Sequence, residues 1–324
     1  MPLLEVEDLH AAFVLPDRTV QAVNGVNFTV EPGEIVGLVG ESGSGKSVTM
    51  QCILRMLPAP GRITQGDVRF KGRSLISLAQ SEMRHIRGRH IAMVVQDALA
   101  ALNPVIPIGE QIADVLEAHT PLRGRGAWQK AVEMLQKVGI PNAAARAKHY
   151  AHEFSGGMQQ RTVIAAALAC SPDLIIADEP TTALDVTVQQ QILALILKAR
   201  QELGSAILYI SHDLAAVTHL CDRVIIMYAG EIVEQAPTRT LFTQPKHPYT
   251  QGLLASIPPL RGEMQEFLPA IPGMPPDPTR LPAGCRFAPR CSFVHDACRA
   301  GRPELIHLDP AHTVRCILYR EGQP

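Results

Sequence analysis

One octapeptide constrains the fold of this chain more than any other segment: Gly40-Glu41-Ser42-Gly43-Ser44-Gly45-Lys46-Ser47. It follows the apolar run Ile35-Val36-Gly37-Leu38-Val39 and opens a stretch with helical spacing. Gly-x4-Gly-Lys-Ser between a buried strand and a helix is the pattern of a phosphate-binding loop. The glycines at 40, 43 and 45 let the backbone curl, so that successive N–H groups, those of Ser42 and Ser44 included, point at phosphate oxygens. The helix N-terminus adds a partial positive charge. Lys46 is placed to reach β- and γ-phosphates, and the Ser47 hydroxyl to ligate Mg²⁺.

A loop of this kind needs an α/β architecture around it. Short apolar runs at Ile91–Val95, Leu174–Ala177 and Ala206–Ile210 read as further buried strands of a mostly parallel sheet. Residues 46–57 read as a helix stopped by Pro58, and Ile192, Leu195, Ile196, Ala199 and Leu203 line one face of another. From about 97 to 160 the pattern is mainly helical, as in Ile108–His119 and Ala127–Val138, which predicts a helical subdomain set into the α/β core. Arg223–Tyr228 and Glu231–Glu234 around Ala229-Gly230 read as a hairpin.

Leu174-Ile175-Ile176-Ala177-Asp178-Glu179 supplies an acidic pair at the C-terminal end of a strand, where open α/β sheets bind ligands. Asp178 can hold Mg²⁺ through its water shell, and Glu179 can polarise a water that attacks the γ-phosphate.

Composition excludes other classes. Lys plus Arg is 30 and Asp plus Glu 31, and aromatics make up 4 %, so neither a basic footprint nor a stacking platform for nucleic acid is present. No apolar run approaches the ~18–20 residues that span a bilayer. The N-terminus carries acids and no basic segment, so it does not read as a signal peptide. The chain is expected in the cytoplasm, with any membrane part supplied by other subunits.

The remaining motifs carry a resemblance. Phe154-Ser155-Gly156-Gly157-Met158-Gln159-Gln160-Arg161 resembles the signature motif of ATP-binding cassette (ABC) ATPases, with Met158 where that family often has Gln. Gln96 resembles the family's glutamine loop, Thr182-Ala183-Leu184-Asp185 its D-loop, and His212 after Tyr209-Ile210-Ser211 its switch histidine. The resemblance covers about residues 3–240 and implies a P-loop cassette, a RecA-like core plus a helical subdomain. It implies that Gln96 touches Mg²⁺, that His212 holds the γ-phosphate and attacking water, and that Ser155, Gly156, Gly157 and Asp185 contact nucleotide. Ser155 and its glycines would complete the ATP site of a partner cassette, though an ordinary serine-capped helix has the same local pattern. Phe13 lies where the family stacks an aromatic on adenine; a core phenylalanine is the other reading.

Cys52, Cys170 and Cys221 sit in apolar surroundings and read as small core residues. Cys285, Cys291, Cys298 and Cys316 crowd together near the end, in a segment that also holds 14 of the 26 prolines, counted from Pro245 onward. Composition therefore divides the chain near residue 240: residues 1–240 as the cassette and 241–324 as a Pro- and Cys-rich extension. Four thiols in a cytoplasmic tail point to a metal, Zn²⁺ or iron–sulfur, rather than to disulfides, with unrelated free thiols as the alternative. Lys246–Thr250, Ile271–Pro276 and Gly284–Cys291 resemble the C-terminal extension of oligopeptide and dipeptide importer ATPases, in which four cysteines are associated with a 4Fe-4S cluster.

Together the resemblances imply the ATP-hydrolysing subunit of a bacterial peptide importer, peripheral to the cytoplasmic face of the membrane. Its expected partners are a second cassette, taken as a paralogous chain, two membrane permeases and an extracytoplasmic binding protein, with no nucleic acid. The same extension occurs in importers of nickel, glutathione or other solutes. A soluble ABC ATPase of DNA repair or translation would carry long inserts or a second cassette, and a P-loop GTPase would carry Asn-Lys-x-Asp; this chain has none of these.

Overall fold

The computed structural model describes residues 1–182, 184–257 and 270–320. Ala183, within the segment that resembles a D-loop, lies outside the described residues, as do 258–269 and 321–324 of the expected extension.

Apolar runs and alternating segments give twelve strands among the described residues: β1 (Leu4–Val14), β2 (Thr19–Val30), β3 (Ile35–Val39), β4 (Gly61–Phe70), β5 (Arg73–Ser74), β6 (Ile91–Val94), β7 (Leu174–Asp178), β8 (Ala206–Ser211), β9 (Arg223–Tyr228), β10 (Glu231–Pro237), β11 (Ile306–Asp309) and β12 (His312–Val314). The α-helices are α1 (Lys46–Ile53), α2 (Gln80–Ile86), α3 (Ala98–Ala101), α4 (Ile108–His119), α5 (Gly124–Lys137), α6 (Ala143–Arg146), α7 (Gly156–Leu168), α8 (Val186–Leu203), α9 (Leu214–Leu220), α10 (Thr238–Thr243), α11 (Pro248–Ala255) and α12 (Asp296–Ala300). The expected mixed α/β class is found.

The chain forms two compact units. One comprises Met1–Leu3, Val30–Glu34 and Ser77–Tyr209; the other comprises Leu4–Thr29, Ile35–Ile76 and Ile210–Pro324.

In the first unit β7 lies between β8 and β6, with β6 parallel to β7 from Ile91 opposite Leu174 to Val94 opposite Ala177. Every residue of β7 is buried, which explains its unbroken apolar sequence: a strand covered on both faces loses the alternation of a half-exposed one. Helices α4 and α5 bury Ile108, Ile112 and Leu116, and Ala127, Ala131 and Leu135, at the spacing of one helical face. Their approach is close at Gly109, where a Cβ would stand 2.8 Å from the Trp128 ring and 2.9 Å from Ala147.

In the second unit β3 runs parallel to β9, Val36 opposite Arg223 through Val39 opposite Ile226. Antiparallel β10, β12 and β11 extend this sheet from β9. The β9–β10 turn is Ala229-Gly230, both at positive φ (47° and 85°), the left-handed pair that two-residue hairpins require. A separate antiparallel sheet, in the order β2-β1-β4-β5, comes from segments the sequence reading leaves unassigned.

Several boundaries differ from expectation. Helix α1 ends at Ile53 rather than 57, because Arg55 turns left-handed (φ 50°) and donates from Nη1 to the Leu75 carbonyl at 3.1 Å. Helix α5 begins at Gly124, three residues before Ala127. On α8, Leu193 is buried beside the expected Ile192, Ile196 and Ala199, whereas Leu203 at the last turn is 36 % exposed. Strand β10 continues beyond Glu234 to Pro237.

Glu234 is fully buried and organises the start of the C-terminal region. Its carboxylate accepts from the Lys246 N–H at 2.7 Å and the His247 N–H at 2.8 Å, and His312 Nε2 lies 2.9 Å away. Removing the carboxylate strands these partners without water. Glu234→Ala is therefore expected to lower unfolding free energy by about 3–5 kcal/mol, and Glu234→Gln by less. Urea denaturation followed by circular dichroism checks this, and an unchanged midpoint for Glu234→Ala would contradict it.

Candidate nucleotide site and four-thiol cavity

The phosphate loop joins the buried end of β3 to α1. At Gly40 a Cβ would collide with the Met227 carbonyl oxygen and stand 2.7 Å from the Ser44 hydroxyl. At Gly45, in the left-handed region at φ 102°, a Cβ would stand 2.6 Å from the Ala22 carbonyl oxygen. Both glycines are steric requirements of a loop packed backbone to backbone. Lys46 is 6 % exposed, and its ammonium donates to the carbonyls of Gly40 (2.7 Å) and Glu41 (2.9 Å) and to Ser44 Oγ (3.3 Å). Ser42, Gly43 and Ser47 remain exposed on the loop's open side. The loop therefore offers an anion backbone N–H groups, a helix N-terminus, a hydroxyl and an ammonium already folded over it.

Glu41, which the sequence reading passes over, is held from two further directions. Its N–H donates to Tyr249 Oη at 2.8 Å. Its carboxylate is gripped by Arg290, from Nη1 to Oε2 at 2.7 Å and from Nη2 to Oε1 at 3.1 Å. A cavity of about 350 Å³ is lined by Gly40 and Glu41 together with buried Leu214, half-buried Leu253 and Ile271, and the exposed His212. The expected switch histidine thus stands beside the first residues of the loop. Phe13 is half-buried at the end of β1, opposite Gly61, where a Cβ would stand 2.8 Å from its ring.

In the other unit, Asp178 closes β7 and is 9 % exposed. Glu179 follows at φ 46°, a left-handed conformation unusual for a side chain with a Cβ. Its Oε2 accepts from Gln96 Nε2 at 3.1 Å and from Thr182 Oγ1 at 3.0 Å. The structure thereby joins Gln96 to the acidic pair and adds Thr182, a residue the sequence reading left within a motif without a role.

Ser155 occupies the N-cap of α7, yet its hydroxyl makes no capping bond, and Ser155 and Gly156 are exposed. The serine-capped alternative requires the side chain to satisfy the helix's own N–H groups; here that helix end faces outward. Gly157 is tightly packed, since a Cβ would stand 2.9 Å from Val188. Asp185 differs: it caps α8, its carboxylate accepting from the Val188 N–H at 2.9 Å.

Cys285, Cys291, Cys298 and Cys316 line one apolar cavity with His247, Phe287, Phe293 and Ile317. All seven cysteines are free thiols, and Cys298 and Cys316 are buried. Burial pushes the Cys316 thiol up to about 11, with the neighbouring cysteines adding to the effect. Among the described residues no three His, Cys, Asp or Glu side chains stand close enough to hold a metal ion. Four soft sulfur donors round one cavity fit a thiolate-ligated group by chemistry.

Comparison with known proteins agrees with this geometry. Residues 23–182 match the family model for ABC transporters, and residues 233–298 match that for the oligopeptide/dipeptide transporter C-terminal region. The chain is 48 % identical over 315 residues to a peptide ABC transporter ATP-binding protein of Sinorhizobium fredii, covering 97 % of this chain and 94 % of that protein. It is 48 % identical over 331 residues to a peptide import ATP-binding protein of Brucella abortus, covering 99 % and 98 %. Among solved structures, it resembles a dimeric ATP-binding cassette in a post-hydrolysis state bound to ADP and Pi, with a TM-score of 0.66 and 28 % identity over 73 % of this chain and 99 % of that one. A cassette from Clostridium perfringens that is part of an ABC transporter complex aligns with a TM-score of 0.63 and 25 % identity, over 75 % and 91 %. A buried lysine folded over a glycine-rich loop, relatives matched nearly end to end and a recognised C-terminal region converge, and the chain belongs to the ABC transporter family as an ATP-hydrolysing cassette of the oligopeptide/dipeptide transporter type.

Proposed function

We propose that this chain is the subunit that powers a bacterial importer of di- and oligopeptides. The observation that carries this reading is the likeness to peptide import proteins over 97–99 % of the chain, the C-terminal region included. No helix among the described residues is long and apolar enough to cross a membrane, so membrane passage falls to partner permeases. A second cassette, taken as a paralogous chain, two permeases and an extracytoplasmic binding protein complete the assembly, with this subunit on the cytoplasmic face of the membrane. The cassette occupies residues 1–240, its helical subdomain about 97–160 receives the permeases, and 241–324 is the extension.

Within the cassette, Gly40, Ser42, Gly43, Ser44 and Gly45 cradle the phosphates through backbone N–H groups. Lys46 moves from the Gly40 and Glu41 carbonyls to the β- and γ-phosphates. Ser47, Gln96 and Asp178 hold Mg²⁺, which neutralises phosphate charge when bound. Glu179, oriented by Gln96 and Thr182, polarises the attacking water, and His212 holds the γ-phosphate. Phe13 stacks on adenine. Ser155, Gly156 and Gly157 offer the uncapped end of α7 to the nucleotide of the partner cassette, and Asp185 sets the start of α8 beside them. Cys285, Cys291, Cys298 and Cys316 ligate a 4Fe-4S cluster, which would supply a cross-link for a proline-rich segment with few helices of its own.

Loss of the gene is expected to abolish uptake of di- and oligopeptides; unchanged peptide uptake with lost uptake of nickel or glutathione would overturn the substrate assignment. Glu179→Gln keeps the hydrogen-bonded shape and removes the base. It should bind ATP and turn over at least ~100-fold more slowly, with ATP-bound dimers accumulating in size-exclusion chromatography. Ser155→Arg should abolish turnover in the assembled transporter while the isolated chain still binds ATP, as measured by nucleotide titration. For the extension, protein purified without oxygen is expected to be brown, with absorbance near ~400 nm and acid-labile sulfide, and Cys291→Ser or Cys298→Ser to bleach it. Colourless protein with stoichiometric zinc would replace iron–sulfur by zinc.

A further inference from the structure

The bonds that fix Glu41 come from far along the chain. Tyr249 lies 208 residues away and Arg290 lies 249 residues away. Both donors of the grip are themselves rigid. The Arg290 side chain is 5 % exposed and donates from Nε to the Pro272 carbonyl at 2.9 Å, while Nη1 and Nη2 also reach Tyr228 Oη and the Ile271 carbonyl, each at 3.4 Å. Tyr249 is fully buried, its ring 4.6 Å from that of Tyr228 and 5.4 Å from that of Phe287. The last of these is a residue of the same C-terminal segment. The turn Ala288–Arg290 that presents the guanidinium leads directly into Cys291 of the four-thiol cavity.

We propose that Arg290 and Tyr249 are positioning residues of the nucleotide site, which set the phosphate loop through Glu41. Four groups meet on this one residue: Tyr249 on its N–H, Arg290 on its carboxylate, and Lys46 and the Ser44 N–H on its carbonyl. With its N–H bonded to Tyr249, Glu41 gives nothing to phosphate, and its carbonyl in turn holds the Ser44 N–H at 3.2 Å. With its side chain anchored bidentately, the Gly40–Glu41 and Glu41–Ser42 peptide planes cannot rotate independently. Rotation of either plane would redirect the carbonyls that park Lys46 and tilt the N–H groups next in sequence. A cradle of convergent N–H groups binds an anion through their alignment, so the clamp preorganises ATP binding without touching ATP. Arg290 suits this task because its planar fork matches a carboxylate at two points, which a lysine cannot do. A role confined to anchoring residues 271–272 would use only Nε and one Nη2 contact and would leave the bidentate pair unexplained.

The proposal rests on the assignment of residues 40–47 to phosphate binding, and its test separates the two. The full chain, purified without oxygen, is titrated with Mg-ATP and assayed for turnover with its partner subunits. Lys46→Ala is the control: unimpaired ATP binding there would sink the site assignment itself. Given loss of binding in Lys46→Ala, Glu41→Gln and Arg290→Ala are each expected to raise Kd and KM for ATP about tenfold, with kcat within about threefold of wild type. Tyr249→Phe, which keeps the buried ring, should raise both about threefold. Arg290→Lys should fall between wild type and Arg290→Ala. The double variant Glu41→Gln/Arg290→Ala should be no worse than either single variant, since both remove one interaction. Circular dichroism and iron content are followed in each. If Arg290→Ala loses iron or folds poorly, Glu41→Gln and Tyr249→Phe decide, because neither borders a cysteine. Wild-type ATP affinity in Glu41→Gln and Tyr249→Phe, or multiplicative effects in the double variant, would overturn the proposal.

Discussion

The nucleotide site depends on one buried cation. Lys46 cannot sit inside the protein unless oxygen acceptors surround it, and its own loop supplies three of them, the carbonyls of Gly40 and Glu41 and the Ser44 hydroxyl. That requirement bends the loop back over the start of α1. The bend brings Gly40 against the Met227 carbonyl at the end of β9 and Gly45 against Ala22 and Gly230, where no side chain fits. The parallel pairing of β3 with β9, the left-handed turn after β9 and the approach of β2 all serve the placement of a single ammonium.

The C-terminal segment takes part in the same arrangement. Glu234 ties the start of that segment to β10, and β12 pairs with β10 through Glu234 opposite Val314. Aromatic contacts among Tyr228, Tyr249 and Phe287 then pack a strand of the cassette, a helix of the extension and the Cys-rich loop against one another. Buried charge and aromatic packing act together here: the rings exclude water, and exclusion of water makes the polar partners of Glu234 and Arg290 obligatory.

Sequence made the site visible where chemistry is local. The glycines of 40–45, the acids ending a buried run at 178–179 and the four late cysteines are short-range patterns whose residue types have few other uses, and the parallel strands are visible because burial on both faces writes a continuous apolar run. The sheet formed by β1, β2, β4 and β5 was not legible: its strands mix buried and exposed residues irregularly, as in the bulged β1–β4 pairing around His10, and lack the period a half-buried strand would show. The helix overrun past Ile53 has a related cause, since nothing in the residue type of Arg55 announces a left-handed backbone. Glu41, Tyr249 and Arg290 were illegible for a topological reason: an acid in a variable loop position and an arginine among cysteines gain meaning only once the fold brings them together. Convergence of the thiols on one cavity could be read from their crowding, but the aromatic and aliphatic side chains that complete its wall, His247 and Phe287 among them, could not.

Glu179 carries a further implication. A non-glycine residue at φ 46° is strained by an amount on the order of 1–3 kcal/mol, and the structure holds it there, its carboxylate bonded to Gln96 and Thr182. Glycine at this position would relieve the strain at no steric cost. The proposed catalytic role of Glu179 and the ease of its backbone therefore pull in opposite directions, and a selection for thermal stability alone would tend to discard the acid. The elements that keep it there, β7 before it and the Thr182 turn beyond, spend part of their rigidity on a residue whose backbone would otherwise relax.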